Sequence, residues 1–550
     1  MNNYIILLLI AIGAAIFSLY SLQKKKNSLQ EIEYTIKDDK TMELNSDYII
    51  TRIAWTKQED NKLNYLLGVF EVANDPSFSD AIPIAMIKDQ EVFDEINYID
   101  VNVTKYYKYI RYTPPISPLY QRNKDISPIK LYGKPASAIN TNLKKDFQPT
   151  NLPLFTIYTQ NSTEPLSKEE YIDCEVSITN EEKTVLKENA TIRVRGKSTS
   201  APPKKPYLIK FSKKQTILGL KGSYKKWVLL ANFFDLSSIR NALAFKMSEL
   251  MKFDFTPRCF SVDLILNGAY RGNYYLCDDV EIGPDRINID EIKKKDITEP
   301  NISGGYFFEI DGRGDDYGYT NLVTKTGIKW RIKEPDEEDI TKEQNEYIIK
   351  KMENFEKEVY SGNFTNMDLE SYSKFFLMDE FCGDPDEIMS NFYITKKRND
   401  DKFYFGPVWD FDLAFDNDKR LYPTNEKTNF LYGLGSSAGT MFNFTDMLIK
   451  NKTIINYIKD TWEKLKSTTL KESVLIDFIE QENNHIKESA NLDLFLWDNY
   501  GPVRNPHFRH SGELITLQSR ENDLNELKEF VKKRFTSLTN VINKAASVAK

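Results

Sequence analysis

The sequence predicts a multi-domain chain: an N-terminal transmembrane anchor, then an all-β sandwich, then a larger α+β region. Three observations predict this order. An uncharged apolar run covers residues 4–22, residues 45–135 hold short β-branched and aromatic segments parted by polar breaks, and from Leu152 strand patterns alternate with helical ones. At 550 residues the chain has room for about three or four domains of roughly 150 residues each. The expected divisions are 4–22, 45–135 and 152–545, with a polar linker near 136–150.

Composition narrows the function classes. Hydrophobic residues at 41% and charged residues at 28% are ordinary globular values, which excludes collagen-like and wholly disordered chains. A net charge of −7 gives no basis for a nucleic-acid coat, which needs clustered Lys and Arg, so no nucleic-acid partner is expected. Only His485, His507 and His510 are present, which argues against a His-rich zinc centre and against a His-based triad placed earlier in the chain. The four cysteines (Cys174, Cys259, Cys277, Cys382) are too few for a disulfide scaffold and none has C-x-x-C spacing. Cys259 and Cys277 pair only if two strands run side by side; four buried thiols is the simpler reading.

The apolar run YIILLLIAIGAAIFSLYSL has 19 uncharged residues and is closed by Lys24, Lys25 and Lys26, just enough to cross a bilayer, which takes about 20. No basic residue precedes it and no A-x-A-like site ends it, so an uncleaved anchor is expected rather than a signal peptide. The lysines favour a cytoplasmic domain by the positive-inside rule. Seven Asn-x-Ser/Thr sequons, among them Asn102, Asn161 and Asn363, favour the lumen. The expected location is membrane-anchored, in the secretory pathway or at the cell surface, with the orientation open.

In the sandwich region, Tyr48–Ala54, Tyr65–Val72, Ile82–Ile87, Tyr98–Val103 and Tyr107–Tyr112 read as strands. Within it, FEVANDPSFSDAIPI, KYYKYIRYTPP and SPIKLYG resemble discoidin-type (coagulation factor 5/8 C-like) domains. That resemblance implies a jelly-roll whose loops at one end bind a glycan or a membrane surface.

In the α+β region, TIRVRGKSTS and PYLIKFS read as two strands joined by a Ser-, Pro- and Lys-rich loop. DLSSIRNALAFKMSELMKF reads as a helix with Asp235 as its cap and an apolar stripe through Ile239, Leu243, Phe245, Met247 and Leu250. SVDLILNGAYRGNYYLC is a hairpin turning at Asn267-Gly268. GGYFFEID is a further strand, residues 341–382 and 444–488 are helical, and a long amphipathic helix starts near Ser511.

The chemistry concentrates in residues 379–418. Asp386 is followed five positions on by Asn391, then by a hairpin (Phe392–Thr395, Lys402–Phe405), then by Trp409-Asp410-Phe411-Asp412. Phosphoryl transfer needs one carboxylate to take or orient the hydroxyl proton and hard oxygen ligands for a divalent cation on the phosphates. Protein kinases supply these with the same Asp-x4-Asn, hairpin, Asp-Phe spacing. Asp410 and Asp412 also have a plain reading as turn residues, although a carboxylate buried among Trp409, Phe411 and Phe415 requires a partner.

Five ordered blocks across 152–545 resemble the spore-coat protein H (CotH) kinase family: IRVRGKSTSAPPKKPYLIKF, KKWVLLANFFDLSSIRNALAFKM, TPRCFSVDLILNGAYRGNYYLCDDVEIGPDRINI, GGYFFEID and VWDFDLAF. The resemblance implies a reduced, atypical protein-kinase-like fold that uses ATP with Mg²⁺ or Mn²⁺ to phosphorylate Ser or Thr on a protein substrate. It assigns Asp386 as the catalytic base, with Asn391, Asp410 and Asp412 as metal ligands. Arg195, Ser198, Lys210 and Arg240 are the candidate ATP-binding residues; Lys204 and Lys205 compete with Lys210, and Glu249 is a candidate partner for the lysine. The chain departs from the family at Asp278-Asp279, where Glu is common, and lacks the Gly usual after WDFD. The competing function is a non-catalytic surface adhesin or glycan-binding protein on the same fold; the presence of Asp386, Asn391 and Asp410 together favours the enzyme.

Overall fold

The computed structural model describes residues 29–38, 40–56, 66–88, 96–116, 129–135, 145–310, 320–386, 390–434, 440–497 and 507–550. These fall into two compact units. One runs to Arg193 and takes in Ser261–Asn273 and a segment from Asn491; the other holds Val194–Phe260, Tyr274–Ala490 and the C-terminal segment.

The first unit contains the expected sandwich. One antiparallel sheet has the order β1 (Gln30–Ile32), β9 (Ile129–Pro135), β4 (Tyr48–Thr56), β7 (Ile96–Asp100). The other has the order β2 (Tyr34–Ile36), β3 (Thr41–Leu44), β8 (Tyr109–Thr113), β5 (Val69–Ala73), β6 (Ile82–Met86). The strands thus begin at Gln30, ahead of residue 45. Their core includes Ile53, Phe70, Val72, Ile110 and Leu131. Glu71 is buried in β5, where the Arg111 guanidinium donates to it at 2.8 and 3.0 Å and the Tyr158 hydroxyl also donates. A buried carboxylate is tolerable only with such partners. The unit also holds β10 (Leu154–Thr159), β11 (Ile172–Asn180) and nearly all of β12 (Lys183–Val194).

The second unit carries the α+β region. Strands β13 (Tyr207–Gln215) and β14 (Tyr224–Leu230) pair antiparallel, and α1 (Arg240–Met251) follows them. The hairpin of β15 (Cys259–Leu266) and β16 (Ala269–Asp278), of which Ser261–Asn273 belongs to the first unit, turns at Asn267 and Gly268, both at positive φ (51° and 80°), as a tight two-residue turn requires. A five-stranded sheet has the order β18 (Thr320–Val323), β19 (Lys329–Glu334), β17 (Tyr306–Ile310), β20 (Phe392–Lys396), β21 (Phe403–Phe405). The helices are α2 (Lys342–Tyr360), α3 (Leu369–Cys382), α4 (Thr440–Lys450), α5 (Lys452–Ser467), α6 (Glu472–Trp497) and α7 (Leu517–Val548). The helical stretch expected over 341–382 consists of two helices, because Gly362 at φ 80° follows the end of the first and Asp368 caps the second through Ser371 N–H.

The transmembrane part of the expected architecture, and the membrane-anchored location built on it, are corrected. Among the described residues no helix is long and apolar enough to cross a membrane. The longest, α6 and α7, are broken by charges such as Asp477, Glu480, Glu529 and Lys533. The apolar run 4–22 lies outside the described residues. What stands is a β-rich N-terminal region followed by an α+β region.

Candidate active site

All the candidate site residues lie in the second unit. The loop after β12 closes through Arg195 N–H, which donates to Pro206 O at 3.1 Å. Gly196 turns the chain at φ 84°, where any Cβ would run into Thr199 Oγ1. Lys205 Nζ braces the loop from within by donating to Ser200 O (2.7 Å) and Ala201 O (3.2 Å).

This loop forms one wall of a cleft. Arg195, Thr199 and Pro206 line it, together with Leu230 to Phe234, Asn241, Asp410 and Asp412. Asn241 fixes two of the walls at once: its Nδ2 donates to Asn232 Oδ1 at 3.2 Å and its Oδ1 accepts from Phe411 N–H at 2.8 Å.

Asn391 and Asp410 are both at positive φ, 61° and 70°. Asn and Asp enter that region more readily than other side chains, yet it still costs about 1–3 kcal/mol, and such strain gathers at functional sites. The Asn391 side chain hydrogen-bonds Asp410. Arg195 lies over the Trp409 ring at 5.2 Å, and its charge acts on Asp410. Asp386 accepts from Arg420 Nη1 at 2.6 Å, while Asp418 holds the same guanidinium at 2.9 Å. Asp386 N–H donates to Asp384 Oδ1 at 3.0 Å.

The electrostatics set this group of acids apart. Burial, then the charges of Asp386 and Asp410, push the Asp384 carboxyl well above its ordinary value. Burial, then Asp410, Asp235, Asp384 and Asp386, do the same to Asp412. Asp410 is raised by burial and by Asp386 and Glu309, against the opposing pull of Arg195 and Asn391. These groups are hard oxygen donors with more negative charge than Arg195 and Arg420 balance, a set that suits a divalent cation. Among the described residues a tighter trio lies elsewhere: His510, Asp523 and Glu526 have ligand atoms within 4.8 Å of one another. There, however, Arg240 occupies Asp523 and Arg509 occupies Glu526.

The residues around the site are held from afar. Phe415 N–H donates to Cys382 O at 2.6 Å, which ties the segment after Asp412 to the end of α3. Arg534, buried in α7, donates to the carbonyls of Glu380 and Phe381 just ahead of Asp384. Asn417 Nδ2 bridges Asp412 O (2.6 Å) and Phe234 O (2.9 Å).

Asp386, Asn391, Asp410, Asp412 and Arg195 are thus linked by direct bonds or mutual charge. Ser198 lies on the cleft-forming loop but is exposed, in the short turn Ser198–Ser200. Two expected nucleotide contacts stand apart from the cleft lining. Lys210 is exposed on β13, facing Lys226 of the next strand, and does not line the cleft. Lys204 is instead buried, over the Tyr274 ring at 4.8 Å. Arg240 is fully buried, and its donors are committed to Asp235 (2.6 Å), Asp523 (2.7 and 2.8 Å) and Ala414 O (3.2 Å). Glu249 pairs with Lys246 at 2.8 Å, so it is not the partner of a nucleotide lysine. Asp278, where the chain departs from the family, is buried between Arg258 (2.6 Å) and Arg286 (3.0 Å), a structural ion cluster.

The sequence reading missed Asp384, Arg420, Asn232 and the Phe233-Phe234 wall. Asp384 had a signal: GDPDE puts two carboxylates two residues apart. Arg420, 34 residues from its partner, had none.

A family model described as CotH kinase protein matches residues 192–538. Among solved structures, the chain is similar to one titled CBM62 from Clostridium thermocellum Xyl5A, at 24% identity over 18% of this chain and 69% of that one, with a TM-score of 0.16. No curated protein matches.

Proposed function

The chain belongs to the CotH kinase family, and on that premise we propose that it transfers the γ-phosphate of ATP to a Ser or Thr hydroxyl of a protein substrate, with Asp386 as the base. The observation that supports this reading is that Asp410, on the cleft wall with Arg195, interacts with Arg195, Asp386 and Asn391, which brings together three separate stretches of the chain.

In this reading the apolar wall of Pro206, Leu230, Ala231, Phe233 and Phe234 takes the nucleobase, and the Arg195 end takes the phosphates. Asn391, Asp410 and Asp412 would hold Mg²⁺ or Mn²⁺, which when bound neutralises charge on the phosphate oxygens. Arg420 orients the Asp386 carboxylate, donating to it at 2.6 Å, and Asp386 accepts the substrate hydroxyl proton. As that proton moves to Asp386, the hydroxyl oxygen bonds to the γ-phosphorus and the bond to the β-phosphate oxygen breaks, releasing ADP. Arg195 offsets the charge that builds on the transferred group. Lys210 and Arg240 have no part in this scheme.

The test is incubation of the full chain with labelled ATP, Mg²⁺ or Mn²⁺ and a cell-surface protein extract. Incorporation of label should fall by at least about 100-fold in Asp386→Asn, the range for loss of a positioned base, with the melting transition retained. Undiminished transfer in that variant overturns the assignment.

A further inference from the structure

Two of the four thiols face each other across one hairpin. Cys259 opens β15 and Cys277 lies one residue before the end of β16. Asp278 N–H donates to Arg258 O at 3.0 Å and Arg258 N–H donates to the Asp278 carboxylate at 3.1 Å, which clamps these two residues together at the open end of the hairpin. Cys259 and Cys277 adjoin that clamp, one on each strand. Residues facing each other across an antiparallel pair have Cα atoms about 4.5–5.5 Å apart, inside the roughly 4.4–6.8 Å window for a disulfide.

The side chains agree with the ladder. The two thiols are in hydrogen-bond contact. Cys277 is fully buried, opposite Val228 of β14, and Cys259 is half-buried. The other two cysteines stand on different elements, Cys174 on β11 and Cys382 at the end of α3. All four are free thiols in the structure. The pair also sits close to the cleft: Leu230, a cleft wall, is two ladder positions along β14 from Val228.

We propose that Cys259 and Cys277 form a dithiol site that a low-molecular-weight disulfide, such as glutathione disulfide, converts to a cross-strand disulfide. Cys259, the more accessible of the two, attacks the oxidant as its thiolate, breaks the oxidant's S–S bond and expels one glutathione thiolate. Cys277 then loses its proton, and its sulfur displaces the second glutathione from Cys259. Two protein S–H bonds and one oxidant S–S bond are exchanged for one protein S–S bond. The oxidant leaves as two thiols carrying both protons and both electrons. Burial raises the Cys277 thiol, which makes the second step the slow one.

The test uses the full chain, equilibrated with glutathione disulfide at mildly alkaline pH, denatured, blocked with N-ethylmaleimide and digested with trypsin without reductant. Cleavage after Arg258, Arg271 and Arg286 puts the two cysteines on separate peptides. The expected result is that peptides 259–271 and 272–286 run as one linked species that reductant splits, with Cys174 and Cys382 alkylated. In Cys259→Ser the linked species should vanish and Cys277 should be recovered alkylated. Four alkylated cysteines after equilibration of the wild-type chain, or a link from either residue to Cys174 or Cys382, overturns the proposal.

Discussion

Replacing Arg240 by Met separates a structural from a nucleotide-binding role. Arg240 is fully buried and bonded to two fully buried carboxylates, Asp235 at 2.6 Å and Asp523 at 2.7 and 2.8 Å, and to Ala414 O at 3.2 Å. Truncating one partner of a buried ion pair costs about 3–5 kcal/mol, because the other partner is left charged and dry. Loss of the bond to Ala414 O adds about 1 kcal/mol. A total near 4–6 kcal/mol is a large share of the ~5–15 kcal/mol that holds a domain folded. Arg240 also keeps Asp523 below its ordinary carboxylate value despite burial, so this stabilisation is complete at neutral pH and is lost as the pH falls through the depressed value.

The assay is urea unfolding followed by tryptophan fluorescence, beside calorimetric titration of ATP into the folded protein. Arg240→Met should lower the unfolding midpoint sharply while the folded protein keeps its nucleotide affinity within about twofold. Asp523→Leu in the same chain should restore part of the loss, since it removes one stranded charge. Wild-type stability combined with a tenfold or greater loss of nucleotide affinity would refute the structural role and return Arg240 to the phosphate site.

Three further outcomes are expected. Asp410→Ala should abolish the metal-dependent part of nucleotide binding, read by calorimetry with and without Mg²⁺ or Mn²⁺; equal binding under both conditions in the wild type and the variant would remove Asp410 from the metal site. Arg420→Met should lower kcat by about 10–100-fold with little change in the KM for ATP, because it frees the base without touching the cleft, and Arg420→Lys should recover part of that. Glu380 is buried, accepts the N–H groups of Leu431 and Tyr432, and is raised to about 7, chiefly by burial. A raised carboxyl contributes stability that is full below its unfolded value and lost as the pH rises towards 7, at up to about 1.4 kcal/mol per pH unit. Glu380→Gln should therefore gain on the wild type between pH 5 and 7 in chemical unfolding; parallel curves would show that Glu380 does not titrate there.

Local features were legible because they are written in adjacent residues. The Asn267-Gly268 turn, the strand Tyr306–Ile310, the hairpin after Asn391 and helix α1 all stand where periodicity and turn chemistry place them. Asp235 does satisfy the first turn of α1, accepting Arg240 N–H at 2.8 Å, although the N-cap position is Ile239. Lys210 shows what a strand reading leaves open: β13 stands where it was read, but Lys210 and Ser212 end exposed while Ile209 and Phe211 between and beside them are buried. The rest depended on partners distant in the chain. Arg240 reads as a helix-opening cation until Asp523, 283 residues later, folds against it. Asp386 and Arg420 meet only through the loop that carries Asp410, and no spacing rule anticipates that.

The grip of α7 on the end of α3 has a consequence for synthesis. Arg534 and Asp523 leave the ribosome well over a hundred residues after Asp386 and Asp410 have been translated, yet they anchor the carbonyls and the guanidinium that fix the geometry around those acids. A nascent chain shorter than this carries its acids without the frame that aligns them.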